Sequence, residues 1–176
     1  MVLLYVDAVE AVRAAYQAYY RSLVAQVFAL TGDLPEAQDV VHEAFARVLA
    51  RPRGFLAAAD PSTWLRAVVF NVARTRFRRR RVYDRLVRTG RVEPMAESVP
   101  GLTPDRLALV EALRRLPMPT REAVVLHHLA DLPVHEVAET LGLPVGTVKA
   151  RLSRGRAALA RYLASDESEE FRHARA

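Results

Sequence analysis

Apolar residues recur at helical spacing along nearly the whole chain, and no segment alternates apolar and polar positions as a strand does. Val9, Val12, Tyr16, Tyr19, Leu23, Val27 and Leu30 step by three and four and predict one long helix. Asp33 is a good N-cap for a second helix. That helix buries Ala37, Val40, Val41, Ala44, Phe45, Val48 and Leu49 on one stripe and ends at Pro52 and Gly54. Asp60-Pro61 opens a third, because proline is tolerated in a first helical turn. Its inner face is Leu65, Val68, Val69 and Val72, and it runs on into a block of arginines. Residues 90–103 contain Gly90, Pro94, Pro100 and Gly101, lack a period, and read as a linker. At full extension the linker spans roughly 45–50 Å, from ~3.3–3.6 Å per residue.

Beyond the linker the helices shorten. Thr103-Pro104 caps one to about Leu116, and Thr120 caps another to about Ala130. His135 to Leu141 forms a third, ending at Gly142, and Pro144 introduces a fourth that runs to about Leu163. The pattern predicts an all-α protein of two small helical modules, 1–89 and 104–164, joined by a flexible linker, 90–103, and followed by a polar tail, 165–176.

Composition narrows the chemistry. A chain of 176 residues has room for one medium domain or two small ones. Cys is absent, which excludes disulfide frameworks, thiolate zinc sites and cysteine nucleophiles. No apolar run approaches the ~18 residues of a membrane span. Met1 to Val6 is apolar, but Asp7 interrupts it and no basic segment precedes it, unlike a signal peptide. The expectation is a soluble, cytoplasmic protein without membrane insertion. Lys149 is the only Lys and Ile is absent, a bias of composition with no functional content.

Charge is segregated along the chain. Residues 1–50 hold six acids and three Arg, whereas residues 74–91 hold nine Arg against Asp84 alone. Val145 to Arg161 carries five basic residues and no acid, and the tail from Ser165 carries four acids and two Arg. The sum is a formal +6, but the distribution says more: two separate basic blocks suit two contacts with one long polyanion.

The second block lies in a helix-turn-helix. Val134, Val137, Ala138 and Leu141 face inward on its first helix, and Val145, Val148, Leu152 and Leu159 on its second, with Gly142 supplying the left-handed residue of the turn. Gly146, Ala150, Ser153 and Ala157 line an outer face whose small side chains let the helix sink into a major groove about 12 Å wide. Lys149, Ser153 and Arg156 reach from that face, while Thr147, Arg151 and Arg154 flank it and suit phosphates. The competing reading is an amphipathic hairpin with a solvated face. Such faces mix signs, and this one has no acid, so DNA binding is the expectation.

On the third helix Asn71, Arg74, Thr75 and Arg78 share a face opposite the valines, with Phe70 and Phe77 between the two faces and Trp64 at the start. Cations attract the backbone of single-stranded DNA, and aromatics and the planar amide of Asn engage unstacked bases. Arg76 to Arg81, Arg79 included, adds a sequence-blind grip. The competing readings are ordinary core for the aromatics and a solvated or protein-paired run for the arginines.

Catalysis finds little support. There is no G-x-x-x-x-G-K, G-x-G-x-x-G or G-x-S-x-G. The adjacent His127 and His128 point in different directions and make a poor metal pair. His135-Glu136 has Glu139, not His, at i+4. The expectation is a non-enzyme with no cofactor and no metal.

Four segments together resemble the extracytoplasmic-function (ECF) group of bacterial sigma factors, small initiation subunits of RNA polymerase, over about residues 14–164. Asp33-Leu-Pro-Glu-Ala-Gln-Asp-Val-Val-His-Glu-Ala-Phe-Ala-Arg-Val resembles region 2.2, and Ser62-Thr-Trp-Leu-Arg-Ala-Val-Val-Phe-Asn-Val-Ala-Arg resembles regions 2.3 and 2.4. Leu116-Pro-Met-Pro-Thr-Arg-Glu-Ala-Val-Val-Leu resembles the start of region 4. Leu141-Gly-Leu-Pro-Val-Gly-Thr-Val-Lys-Ala-Arg-Leu-Ser-Arg-Gly-Arg resembles the family's recognition helix, the most specific match of the set.

The resemblance implies a factor that binds RNA polymerase core and directs promoter-specific initiation. By position, Gln38, Asp39, His42, Glu43 and Arg47 match the face that binds the β′ clamp helices, with Asp39 and Glu43 foremost; simple solubility is the other reading of that stripe. Asn71 and its neighbours, with Arg74, Thr75, Arg78 and Arg79, match the capture of an opened −10 strand. Thr147, Lys149, Ala150, Arg151, Ser153, Arg154 and Arg156 match the reader of the duplex −35 element. The β flap and an anti-sigma protein are further implied partners. Thr75 stands where the family often has Asp, His42 where Gln is common, and Pro133 where a Ser or Thr cap is usual. The alternatives are a stand-alone helix-turn-helix regulator, which leaves the arginine block unexplained, and a sigma-like decoy for an anti-sigma protein.

Overall fold

The computed structural model describes the backbone of residues 2–87 and 103–173 and the side chains of 8–79, 103 and 105–164. Linker residues 90–102 lie outside it, as do the side chains of Arg80, Arg81 and Arg85. The described residues form eight α-helices and one π-helical turn, and divide into two compact units. The architecture is all-α, as the periodicity predicts.

The first unit takes in 1–27 and 33–96. Helix α1, Val2–Thr31, contributes Ala8, Val12, Ala15, Leu23, Val24 and Val27 to its core. Helix α2, Leu34–Ala50, begins as expected: the Asp33 carboxylate accepts the Glu36 N–H at 2.9 Å. Its buried stripe is Ala37, Val40, Val41, Ala44, Phe45 and Val48. Leu49 does not belong to that stripe and is 38% exposed, because it follows Val48 by a turn of about 100°.

Pro52 and Gly54 end α2 but do not open a loop; Arg53–Leu56 forms a one-turn helix, α3. Gly54 is required there by packing, since a Cβ would sit 2.9 Å from the Trp64 ring. Trp64 also lies against the buried Phe55, with ring centroids 6.1 Å apart, so it is a packing residue of the α3–α4 corner. Helix α4, Pro61–Val87, starts on Asp60, whose carboxylate accepts the N–H groups of Ser62 at 2.9 Å and Thr63 at 3.3 Å. Leu65, Val69, Phe70, Val72 and Ala73 are its buried residues. Val68 is only half-buried, and Phe70, expected between two faces, is 1% exposed.

Among the described residues, the second unit takes in 28–32 and 103–173. Helix α5, Pro104–Arg115, is capped by the Thr103 hydroxyl, as the sequence predicts. Thr120 caps nothing. Helix α6, Met118–Val124, starts at Pro117, and Thr120 is buried inside it with its N–H on the Pro117 carbonyl at 2.9 Å. The helix does not continue regularly to Ala130 either. Val125–Leu129 is a π turn, closed by the Ala130 N–H on the Val125 carbonyl at 3.0 Å.

Helix α7, Val134–Leu141, starts at Pro133 with no side-chain cap, as expected from the missing hydroxyl. Gly142 has φ +65°, and the Gly142 and Leu143 N–H groups return to the carbonyls of Glu139 and Ala138. This is a Schellman ending, which turns the chain into the next helix within three residues. Helix α8, Val145–His173, is longer than its apolar period suggests and takes in part of the expected tail. Its inner stripe is Val148, Leu152 and Gly155; Val145, expected inward, is 42% exposed at the helix start. A Cβ on Gly155 would lie 2.5 Å from Val124 Cγ2, so α8 rests on α6 at a distance that only glycine permits.

Candidate nucleic-acid and protein interfaces

The outer face of α8 is open. Gly146, Lys149, Ala150, Ser153, Arg154, Arg156 and Ala157 are all exposed, and nothing lies within 4 Å of a Cβ built on Gly146. Small residues thus leave a shallow track between cations, as groove insertion requires. Thr147 and Arg151 are half-buried, and an Arg151 Nη donates to the Pro119 carbonyl at 3.3 Å. Arg151 therefore leans onto the start of α6 while its neighbours stand clear.

The same unit carries the histidine pair, whose rings lie closer together than the sequence suggests. The rings of His127 and His128, both in the π turn, come within 4.6 Å at a tilt of 60°. His127 Nδ1–H donates to the Leu132 carbonyl at 2.7 Å. Partial desolvation, then the charges of His127 and Arg156, lower the pKa of the exposed His128. Among the described residues no group of three or more His, Cys, Asp or Glu is placed to hold a metal ion.

The platform under α8 contains a buried guanidinium that sequence reasoning did not single out. Arg121 donates to the carbonyls of Leu30, Arg114 and Leu116, all within the second unit. These carbonyls fall near the ends of α1 and α5, where the helical ladder leaves acceptors unpaired. Burial, then the charge of Arg114, pulls Arg121 down to about 10, so it remains charged at neutral pH.

On α4 the expected strand-facing residues do share a side. Asn71, Arg78 and Arg79 are exposed, and Arg74 and Thr75 half-exposed. The Thr75 hydroxyl donates to the Asn71 carbonyl at 2.8 Å, so its oxygen is engaged along its own helix. Arg76 departs from the expected grip. Its Nε donates to Glu43 Oε2 at 2.8 Å and its Nη2 approaches the same oxygen at 2.7 Å, binding α4 to α2.

The α2 face is exposed at Gln38, Asp39, His42 and Arg47, and half-buried at Glu43. Glu43 lies between Arg76 and Arg47, each hydrogen-bonded to a different carboxylate oxygen. Burial pushes its carboxyl up, but the hydrogen bonds and charges of the two arginines outweigh that and hold it low. His42 belongs to an aromatic tier that sequence reading missed. Its ring stacks on Tyr20 at 5.2 Å, Tyr20 on Tyr16 at 4.7 Å, and Tyr16 Oη lies 3.1 Å from His42 Nε2. The available signal was Tyr16 and Tyr20 at i and i+4, one helix turn apart.

Two family models match the chain in order: Sigma-70 region 2 over residues 15–83 and Sigma-70 region 4 over residues 106–159. The chain is 33% identical over 155 residues to an ECF RNA polymerase sigma factor, EcfG, of Rhodopseudomonas palustris, covering 85% of this chain and 83% of that protein. It is 30% identical over 164 residues to the ECF sigma factor SigW of Bacillus subtilis, covering 84% and 82% respectively. Among solved structures, its fold is similar to that of the sigma factor RpoE of Bartonella quintana, solved with the anti-sigma factor NepR. The TM-score is 0.77 at 22% identity, over 88% of this chain and 97% of that one.

Proposed function

This chain belongs to the extracytoplasmic-function family of RNA polymerase sigma factors, and from that premise we propose how its residues divide the work of promoter-specific initiation. The family supplies initiation factors rather than enzymes, and RNA synthesis itself belongs to the polymerase core. Among the described residues no helix is long and apolar enough to cross a membrane. The working compartment is the cytoplasm, where polymerase and promoter meet.

Helix α8 reads the duplex −35 element: Lys149, Ser153 and Arg156 reach base edges across the small-residue track, and Thr147, Arg151 and Arg154 take phosphates. Arg151 leaves the Pro119 carbonyl to do so. Helix α4 holds the opened −10 strand, with Asn71 engaging an unstacked base and Arg74, Arg78 and Arg79 attracting its backbone. The α2 stripe docks on the β′ clamp helices, with Asp39 and His42 exposed toward them and Gln38 and Arg47 at its margins. Region 4 also meets the β flap. An anti-sigma protein masks these faces in the resting state, a reading supported by the RpoE fold relative being solved with NepR.

The observation that carries this division is the contrast of surfaces: an open basic face on α8 without an acid over Val145–Arg161, and an exposed acid-bearing stripe on α2. Run-off transcription with purified polymerase core on a genomic promoter library tests it. New specific transcripts are expected, and Asp39→Arg abolishes them by putting a cation where the docking acid stood. Tight sequence-specific binding by the protein alone, without transcripts, would make it an independent regulator instead.

A further inference from the structure

Arg76 occupies an unusual place in the register of α4. Leu65, Val69, Val72 and Arg76 succeed one another by four, three and four, so the arginine continues the buried stripe. It stands two residues from both Arg74 and Arg78, a spacing that puts it on a different side of the helix. Every guanidinium nitrogen is turned toward α2: Nε and Nη2 on Glu43 at 2.8 and 2.7 Å, and Nη1 at 4.0 Å from Asp39 Oδ2.

Glu43 is correspondingly occupied. One oxygen takes Arg76 twice and the other takes Arg47, and its side chain is 31% exposed, against 72% for Asp39. The two acids of the docking stripe are therefore not equivalent. Asp39 stands outward beside a more distant cation, while both Glu43 oxygens are engaged by arginines of the same unit.

We propose that Arg76 is a positioning residue and not a DNA ligand: with Glu43 it fastens the polymerase-docking helix α2 to the strand-holding helix α4, so that docking on α2 fixes how the Asn71–Arg78 face meets the opened strand. The proposal rests on the division of work given above, and it deepens that reading by giving a role inside the protein to Arg76 and Glu43, which the sequence alone suggests as ligands of DNA and polymerase. A half-exposed link of this kind adds a modest bias to two helices that already pack on one another, and salt weakens it only in part.

The test uses holoenzyme assembled from polymerase core and full-length protein, bound to a promoter fork with its −10 strand open. Binding is measured against salt concentration, beside open-complex yield and affinity for core. Arg78→Gln is expected to reduce the salt slope by about 0.7, one lost single-strand phosphate contact. Arg76→Gln is expected to leave the slope unchanged and lower open-complex yield about fivefold, the effect of losing a link near 1 kcal/mol. Glu43→Gln should do the same without weakening affinity for core, and the double variant should be no worse than either single one. The reversed pair, Glu43→Arg with Arg76→Glu, should restore much of the yield.

A slope that falls for Arg76→Gln as it does for Arg78→Gln would overturn the proposal by making Arg76 a phosphate ligand. Loss of core affinity on Glu43→Gln, with Arg76→Gln unaffected, would overturn it by making Glu43 a polymerase ligand. If Arg78→Gln alone fails to change the slope, the strand-binding reading of α4 fails while the Arg76–Glu43 link stands. An Arg76→Gln variant that lost its helical circular dichroism would be judged by the reversed pair, whose failure to restore yield would count against the link.

Discussion

Helices α4 and α8 are both long and arginine-rich, yet they dispose of their cations differently. Helix α4 is part of its own unit's core: Leu65, Val69, Phe70, Val72 and Ala73 are buried on it. Its polar groups are drawn into that role, with Arg76 on Glu43 and the Thr75 hydroxyl on the Asn71 carbonyl. Helix α8 also buries a stripe, Val148, Leu152 and Gly155, the last close against α6, but its outer cations Lys149, Arg154 and Arg156 all stand exposed. A helix that supports a core divides its side chains between scaffold and ligand. One whose outer side chains are left clear of its neighbours presents a whole face. On the division of work proposed above, recognition of a melted strand tolerates the first arrangement, because stacking and charge are forgiving of register. Reading base edges in a groove needs the second.

The largest effect should come from removing the platform. Arg121→Met takes the donor from three carbonyls, those of Leu30, Arg114 and Leu116, and leaves buried acceptors unsatisfied. A loss of about 3 kcal/mol is expected in urea unfolding of the second unit. Sequence-specific binding of −35 duplex should fall with it, while single-strand binding through α4 is retained. A change below about 1 kcal/mol would show that water replaces the guanidinium, and the contrast between the two helices would then owe nothing to Arg121.

A smaller effect separates readers from anchors within α8. Lys149→Ala should cut the preference for a matched over a scrambled −35 element about tenfold, the value of one good base contact. Arg154→Ala should weaken both elements alike and reduce the salt slope by about 0.9. Equal losses on matched and scrambled DNA for Lys149→Ala would place it among the phosphate anchors. The open face of α8 would then grip rather than read.

Much of this organisation is legible in the sequence where a single helix decides it. The Asp33 cap, the α2 stripe from Ala37 to Val48, the Gly142 turn and the small-residue track on α8 are all local patterns, and each appears in the fold. Reading failed where a second element decides. Arg76 looks like its neighbours until Glu43 faces it across 33 positions of sequence. His42 looks like a simple replacement until Tyr16 and Tyr20 stack beneath it. Thr120 is a different, local miss: it has the composition of a cap, but Pro117 starts that helix three residues earlier. Arg121 gave no local signal at all, since its partners are backbone carbonyls, which every residue carries.

The smallest effect concerns how α4 begins, and it isolates the scaffold half of the comparison from DNA altogether. Asp60 caps the helix through the Ser62 and Thr63 N–H groups. Hydrogen bonds from Thr63 and then Ser62 hold its carboxyl at about 2, below the ordinary 3.8. A carboxyl lowered by folding stabilises the folded state above its unfolded pKa, and that contribution fades as pH falls from near 3.8 through about 2. Asp60→Ala should therefore cost about 1 kcal/mol or somewhat less at pH 7, since the cap is exposed and partly screened. The difference from wild type should narrow as the pH is lowered through that window, while other carboxylates titrate in both proteins and cancel. Asp60→Asn keeps an acceptor for the same N–H groups and should show no such narrowing relative to Asp60→Ala. Paired urea titrations at neutral and acid pH measure both differences. A wild-type advantage over Asp60→Ala that persists undiminished below pH 2 would mean that the cap works through hydrogen bonding alone, and that its charge adds nothing to the start of α4.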